Sequence, residues 1–518
     1  MRCEPTRRSF MAAIGAAAAG AACPPITLAR DEPSAPAYRT AGELVEALAG
    51  KEVSSRELVD AAISRIERID PKINAVVVRD FERAREAAAA ADAALAKGER
   101  RPLLGLPMTV KEQFNVVGLP TSWGDRQFWR WYPAADTLAV QRLKNAGAVI
   151  LGKTNVPLHL TDWQSYNDIF GTTNNPWDPS RTPGGSSGGA AAALAAGFVP
   201  LELGADIGGS LRAPAHFCGV FSHKPSLDFI PQRGSGFPGT PEMIPVRDDL
   251  WVIGPMARSA ADLALELAVI AGPDEWSEGI GYKLVLPPPR HDRLTDFRVL
   301  VIDRHPLCPI EVAVSAALDR LAERLVKAGC QVVRGGPNLP DLAQTSRIYS
   351  ELLSAFFSAD LPAAVSEQVA ATARALSLGD ESLAAAGLRG LTMSHPDWIH
   401  ASRIRSGLRA RWQALFRGVD VVLCPPMPTV AFPHDHSPQF ARILDVDGAK
   451  VPYFVQSVWA GIATLNGMPA TTMPIARTEN GLPIGMQIIG GFLDDRTTIA
   501  FAGLIEREFG GFTPPPGF

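Results

Sequence analysis

The chain has 518 residues, 46% of them hydrophobic and 20% charged, with a formal net charge of -4. Length alone allows roughly two to four domains, while the composition is that of one large soluble α/β body. A mildly acidic chain with no basic run argues against nucleic acid or an anionic membrane as partner, and beyond the leader no stretch offers the apolar length of a membrane span.

Thr6-Arg7-Arg8-Ser9-Phe10-Met11, followed by the apolar and acid-free run Ala12 to Ala22, reads as a twin-arginine export signal. Residues 1–30 are therefore set apart from the folded body at 38–518, and a periplasmic or secreted location is expected. Gly20-Ala21-Ala22-Cys23 is a degenerate lipoprotein site without the usual leucine. Two of the six cysteines, Cys3 and Cys23, fall in this leader. Cys218, Cys308, Cys330 and Cys424 are widely spaced with no C-x-x-C pair, which reads as buried free thiols. His434-Asp435-His436 is the closest histidine pair and lies in a proline-bounded loop; no H-E-x-x-H occurs, so neither a metal nor a cofactor is expected.

From Thr40 the pattern turns helical. Ser54-Ser55-Arg56-Glu57 offers a capping box ahead of Leu58, Ala61, Ala62, Ile66 and Ile69 at helical spacing, and an alanine-rich helix is predicted over 81–95. Leu104-Gly105-Leu106-Pro107-Met108-Thr109-Val110-Lys111-Glu112 is an apolar strand ending in a lysine. Trp123, Phe128, Trp129, Trp131 and Tyr132 form a dense aromatic group, read equally as the pocket for an apolar acyl group or as core beneath a loop. A helix at 136–145 and a strand at 148–151 continue the alternation of a mixed sheet covered by helices.

Between Thr182 and Arg212 stand two glycine–serine clusters, Gly184-Gly185-Ser186-Ser187-Gly188-Gly189 and Asp206-Ile207-Gly208-Gly209-Ser210-Leu211-Arg212, on either side of an alanine run. The pattern predicts a loop, a helix from near Ser187, a strand over 198–203, and a second loop at the next helix start. Both serines then sit beside helix N-termini, where unpaired N–H groups favour developing negative charge. No Gly-Lys-Ser/Thr follows Gly188-Gly189, which argues against a phosphate loop. Gly184-Gly185-Ser186-Ser187-Gly188 also fits a G-x-S-x-G nucleophile elbow, an alternative that stays open here. Further on, a helix is predicted at 260–271, a linker-like loop at 276–297, a strand at 298–303, a helix at 310–328, a helical stretch at 342–416, strands at 419–424, 470–474 and 486–489, and a closing helix at 496–509.

Lys111, Ser186 and Ser210 together resemble the amidase signature family, which hydrolyses amides with a Ser-cisSer-Lys triad. The resemblance runs from about Thr40 to the C-terminus through Gly152-Lys153-Thr154-Asn155, Asn175-Pro176-Trp177, Gly254-Pro255-Met256-Ala257-Arg258-Ser259 and Gly481-Leu482-Pro483-Ile484-Gly485-Met486-Gln487. It implies an α/β fold in one large domain, a central mixed β-sheet covered by helices, with the poorly matching 342–416 stretch as a variable helical cap. It further implies that Ser210 is the nucleophile, that Ser186, held by a cis Gly185–Ser186 peptide, bridges it to Lys111, and that Lys111 is the base. Backbone amides of Ile207, Gly208, Gly209 and Ser210 would form the oxyanion hole, with Ser187, Gly185, Asp206 and Arg212 in support. The partner implied is a small-molecule amide, with a homodimer compatible with the chain. A base at 111 must be neutral at rest, so its pKa must fall from ~10.4 to about 7–8, roughly 4 kcal/mol of differential interaction. Burial among hydroxyls without a carboxylate is the physical route; Glu112, next in the strand, would point to the opposite face.

The chain departs from the pattern at Glu112, where aspartate is common, and at Val156-Pro157-Leu158-His159, where a glutamate often stands; neither touches the triad. Lys153 and Lys224 read as structural. Two further readings share the fold: the A-type component of a tRNA-dependent amidotransferase, which the export signal opposes, and a catalytically silent binding protein, which retention of all three triad residues opposes.

Overall fold

A computed structural model describes residues 36–518, apart from 241–247 and the single positions 337, 360, 362 and 378. The twin-arginine stretch, Cys3 and Cys23 lie outside the described residues. The chain first lays down two helices, α1 (Ala41–Gly50) and α2 (Ser55–Ile73), each opened by a capping box, Thr40 with Glu43 and Ser54 with Glu57. There follow β1 (Val76–Arg79), α3 (Phe81–Ala96), β2 (Pro107–Lys111), α4 (Leu138–Asn145), β3 (Val149–Thr154), α5 (Gly188–Ala195), β4 (Leu201–Asp206), α6 (Arg212–Cys218), β5 (Phe221–Lys224), β6 (Val252–Ala257) and α7 (Ala260–Ile270). The second half adds β7 (Arg298–Val301), α8 (Val312–Lys327), β8 (Gln331–Arg334), α9 (Leu342–Ser358), α10 (Ala363–Arg374), α11 (Leu383–Leu391), α12 (His395–Leu415), β9 (Val421–Cys424), α13 (Ser457–Leu465), β10 (Ala470–Arg477), β11 (Pro483–Ile489) and α14 (Asp495–Phe509).

These eleven strands join one sheet in the order β1-β3-β2-β4-β6-β5-β10-β11-β9-β7-β8, and two two-stranded ribbons, Tyr166–Asn167 with Gly171–Thr172 and Ile443–Val446 with Ala449–Pro452, stand apart from it. The pairs β2–β3, β2–β4, β7–β8 and β7–β9 are parallel and the remaining neighbours antiparallel, so the sheet is mixed. Every residue of β2, β3, β4 and β6 is buried, as strands covered on both faces require. Because side chains alternate along a strand, Met108, Val110, Leu201 and Leu203 pack on one face with Leu263, Leu267 and Ile505. Val149, Leu151 and Met256 pack on the other with Val59, Ile63 and the alanines of α5. Among the described residues no helix is long and apolar enough to cross a membrane.

Several boundaries differ from the sequence reading for identifiable reasons. The strand expected from Phe198 begins at Leu201, because Gly197 (φ 69°) closes α5: the Gly197 and Phe198 N–H groups donate to Leu194 and Ala193 carbonyls at 3.0 and 2.9 Å, a Schellman closure that uses up those residues. α4 starts at Leu138 because the Asp136 carboxylate is taken by the Val117 N–H at 2.8 Å and by Lys144. The 276–297 stretch is irregular, yet Leu286, Leu294 and Phe297 sink into the main core. Cys218, Cys308, Cys330 and Cys424 are free and buried.

The sheet carries one buried acid whose ionisation opposes folding. Glu202 on β4 is fully buried and accepts from the Thr109 hydroxyl; burial pushes its carboxyl up to about 8. Between an unfolded value near ~4.3 and that folded value the unfolded chain holds fewer protons, so stability falls as pH rises through this window. Glu202→Gln, which keeps the acceptor for Thr109, is expected to gain stability relative to the parent between pH 5 and pH 8, as measured by urea midpoints at the two pH values.

Candidate active site

Lys111 is the last residue of β2, and its side chain is buried against the loop that precedes α5. Its Nζ lies 2.7 Å from Ser186 Oγ in a hydrogen bond. The Gly185–Ser186 peptide is cis. Gly185 has no room for a side chain: a Cβ there would stand 2.3 Å from the Asp162 carbonyl oxygen and 2.8 Å from the Gln164 nitrogen. Ser187 ties the first serine cluster to the second, donating its N–H to the Ser210 carbonyl at 3.2 Å and its hydroxyl to the Ala205 carbonyl at 3.3 Å.

The second cluster fills the turn between β4 and α6. Asp206 and Arg212 pair there, Nη2 to Oδ1 at 2.8 Å and Nε to Oδ2 at 3.0 Å, both fully buried. Arg212 reaches on to the Ala460 carbonyl (2.9 Å), Gln487 Oε1 (2.9 Å) and Thr464 Oγ1 (2.8 Å), so its planar fork is fully engaged. Burial works to raise the Asp206 carboxyl, but the Arg212 guanidinium outweighs it and holds the group below the usual carboxylate range.

Each carbonyl of the turn is anchored. Ile207 O accepts from the Tyr349 hydroxyl at 2.7 Å, Gly208 O from Trp163 Nε1 at 2.9 Å, and Gly209 O from the Ala213 N–H at 2.7 Å. In a planar trans peptide the N–H opposes the preceding C=O, so anchoring the carbonyls of Ile207 and Gly209 aims the N–H groups of Gly208 and Ser210 the opposite way. Among the described residues the N–H groups of Ile207, Gly208 and Ser210 donate to no protein acceptor. Gly209, grouped with them from the sequence, differs: its N–H donates to Asp206 Oδ1 at 2.9 Å and is held inside the turn.

Burial lowers three amines, Lys224 to about 7, Lys153 to about 8 and Lys111, and contact with Ser186 Oγ sets Lys111 apart from the other two. Burial pulls its amine down to about 7, against the Asp206 carboxylate, which works to raise it. Glu112 faces away, accepting from the Ser122 and Trp123 N–H groups at 2.6 and 2.9 Å and standing 3.7 Å from Lys153. Lys153 donates to the Pro120 carbonyl and Thr121 hydroxyl at 2.6 and 2.9 Å, and Lys224 to the Pro225 carbonyl at 2.7 Å.

The dense aromatic group after Lys111 does not converge on this cluster: Trp129 and Tyr132 are 52% and 58% exposed, Arg130 stacks on Trp129, and Trp123 and Phe128 pack edge-on to Phe237. The aromatic residues that do reach it, Trp163 and Tyr349, carry no signal in the sequence. Tyr349 stands in the stretch that matches the family least. Trp163 lies beside the departing 156–159 segment, where an indole without a motif does not stand out.

A helix-covered mixed sheet, with a buried amine on a serine hydroxyl beside a turn of unspent amides, is the framework of a hydrolytic enzyme. The chain belongs to the Amidase family, the amidase signature enzymes, whose model matches residues 57–499, and it acts on carbon–nitrogen amide bonds. It is 33% identical over 489 residues to the A-type component of the glutamyl-tRNA(Gln) amidotransferase of Anaeromyxobacter sp. (strain K), covering 90% of this chain and 96% of that one. It is 32% identical over 501 residues to a fatty-acid amide hydrolase 2-A of Danio rerio, covering 92% and 90%. The fold is shared with a bacterial aryl acylamidase of the amidase signature family, at a TM-score of 0.75 and 23% identity over 91% of this chain and 96% of that one.

The two serine loops meet over Gly204, where a Cβ would stand 2.6 Å from Leu211 Cδ2 and 3.0 Å from Ser187 Oγ. Gly204→Ala is expected to lower stability by about 1–3 kcal/mol through overpacking, read as a lower urea midpoint at unchanged slope.

Proposed function

We propose that the protein hydrolyses a carboxylic amide to acid and amine, or ammonia, through an acyl-enzyme formed on Ser210. The observation that carries this reading is the 2.7 Å contact between Ser186 Oγ and a Lys111 amine that burial brings to about 7. An amine neutral near physiological pH can take a proton; one at its ordinary value cannot. Lys111 draws a proton from Ser186 as Ser186 draws one from Ser210, and Ser210 Oγ attacks the carbonyl carbon. The resulting oxyanion is received by the unspent N–H groups of the turn, where each donor is worth on the order of 10²–10³ in rate. The proton held at Lys111 returns through Ser186 to the departing nitrogen, the carbon–nitrogen bond breaks, and water later releases the acid by the same route.

The twin-arginine stretch supports a further part of the reading, export to the periplasm or beyond. The relatives support a second reading equally, the A-type component of a tRNA-dependent amidotransferase, since a protein so named is 33% identical over 90% of the chain and the fatty-acid amide hydrolase is 32% identical over 92%. The two separate on whether the purified chain alone turns over an amide or needs a partner protein.

On a chromogenic anilide or the best substrate from a panel of amides, Ser210→Ala is expected to lose activity by on the order of 10⁴-fold or more. A fluorophosphonate adduct is expected on Ser210; an adduct on Ser186 would point to the nucleophile-elbow arrangement instead. Because the working amine is the deprotonated one, kcat/KM is expected to rise as pH increases through about 7 and to level off above it, and Lys111→Ala to lose that limb together with most of the rate.

A further inference from the structure

The helical cap packs on Ile207 through an apolar cluster that includes Ile348, Tyr349 and Leu352, and one side chain of it also hydrogen-bonds the turn. Tyr349 lies on α9, in the 342–416 stretch, and is fully buried, yet its hydroxyl ends on the Ile207 carbonyl at 2.7 Å. The ring occupies a notch left by Gly461 on α13, where a Cβ would stand 2.4 Å from Tyr349 Cδ1. Beside the phenol stands the Thr464 hydroxyl, which receives Arg212 Nη2 at 2.8 Å. Arg212 in turn grips Asp206, whose carboxylate holds the Gly209 N–H. The phenol is thus joined to the network that fixes the β4–α6 turn from below, and among the described residues it alone donates to that turn's first carbonyl.

We infer that Tyr349 is a positioning residue for amide hydrolysis: by gripping the Ile207 carbonyl it aims the Gly208 N–H at the oxyanion. The inference rests on the reading of Ser210 as nucleophile. A planar peptide turns as a unit, so the direction of the Gly208 N–H is the direction of the Ile207 carbonyl reversed. Without the hydroxyl the carbonyl is a buried acceptor with no partner, and the peptide can rotate toward other donors at the expense of the hole. Burial also raises the phenol further above its ordinary value, so it remains a donor across the working range. The consequence is that the helical cap sets rate as well as fit: whatever unseats α9 disorders the oxyanion turn.

The test is Tyr349→Phe, which keeps the ring in its notch and removes only the donor. The expected result is a fall in kcat of about tenfold, within the range of a weakened oxyanion donor, with KM changed by less than about twofold. An aliphatic boronic acid, whose tetrahedral adduct places an oxygen in the hole, is expected to bind more weakly by the same factor. The low-pH limb near 7 should stay in place, since the amine is untouched. Gly461→Ala, which displaces the ring without altering its hydroxyl, should give the same kcat-weighted loss, and it carries the test if the phenylalanine variant does not fold. An unchanged kcat, or a rise in KM alone, in a folded variant would overturn the inference while leaving Ser210 as nucleophile. A fluorophosphonate adduct mapped away from Ser210 in the parent enzyme would remove the underlying reading instead.

Discussion

The site depends on an amine kept out of water and without a carboxylate partner. Lys111 sits 2.7 Å from Ser186 Oγ, and desolvation is the largest influence on it. Two features keep that influence from being cancelled. Glu112 stands in the turn just past the end of β2, where Ser122, Trp123 and Lys153 occupy it. Asp206, the carboxylate that does act on the amine, is paired at 2.8 Å with the Arg212 guanidinium, whose charge opposes its own. A buried ion pair of this kind is weak evidence for stability; here its use is to hold a turn while leaving the neighbouring amine free to stay neutral.

The same economy shapes the turn between β4 and α6. Four residues carry four carbonyls and four N–H groups in a buried place, and each must point somewhere useful. The carbonyls are turned into the protein on Tyr349, Trp163, Ala213 and Ser187, and among the described residues the amides of Ile207, Gly208 and Ser210 meet no protein acceptor. The glycines at 185 and 204 answer a second need, close approach: the Asp162 backbone meets the first, and Ser187 with Leu211 meets the second.

Much of this is legible in the residues. The lysine-terminated strand, the two glycine–serine clusters, the alanine helix between them and the capping box at Ser54 are local patterns, and local patterns survive folding. Element ends are less legible where a closure consumes residues, as at Gly197 and Phe198, or where an acid is claimed from a distance, as Asp136 is by Val117. The anchors of the β4–α6 turn are hidden for a different reason. Tyr349 lies 142 residues from Ile207, and Trp163 lies 45 from Gly208; only the fold brings them together, and neither stands in a motif. The aromatic density after Lys111 leaves both of its readings open in the sequence, because composition cannot tell a ring that faces a pocket from one that packs on Phe237 or faces solvent.

The central claim is the charge state of one nitrogen, and it can be read directly. With lysine labelled at Cε and Nζ, the Lys111 resonance, identified by its loss in Lys111→Ala, should titrate with a midpoint of about 7 in the resting enzyme. A Lys111 amine that stays protonated up to its ordinary ~10.4 would contradict the account, since no neutral base would then stand beside Ser186.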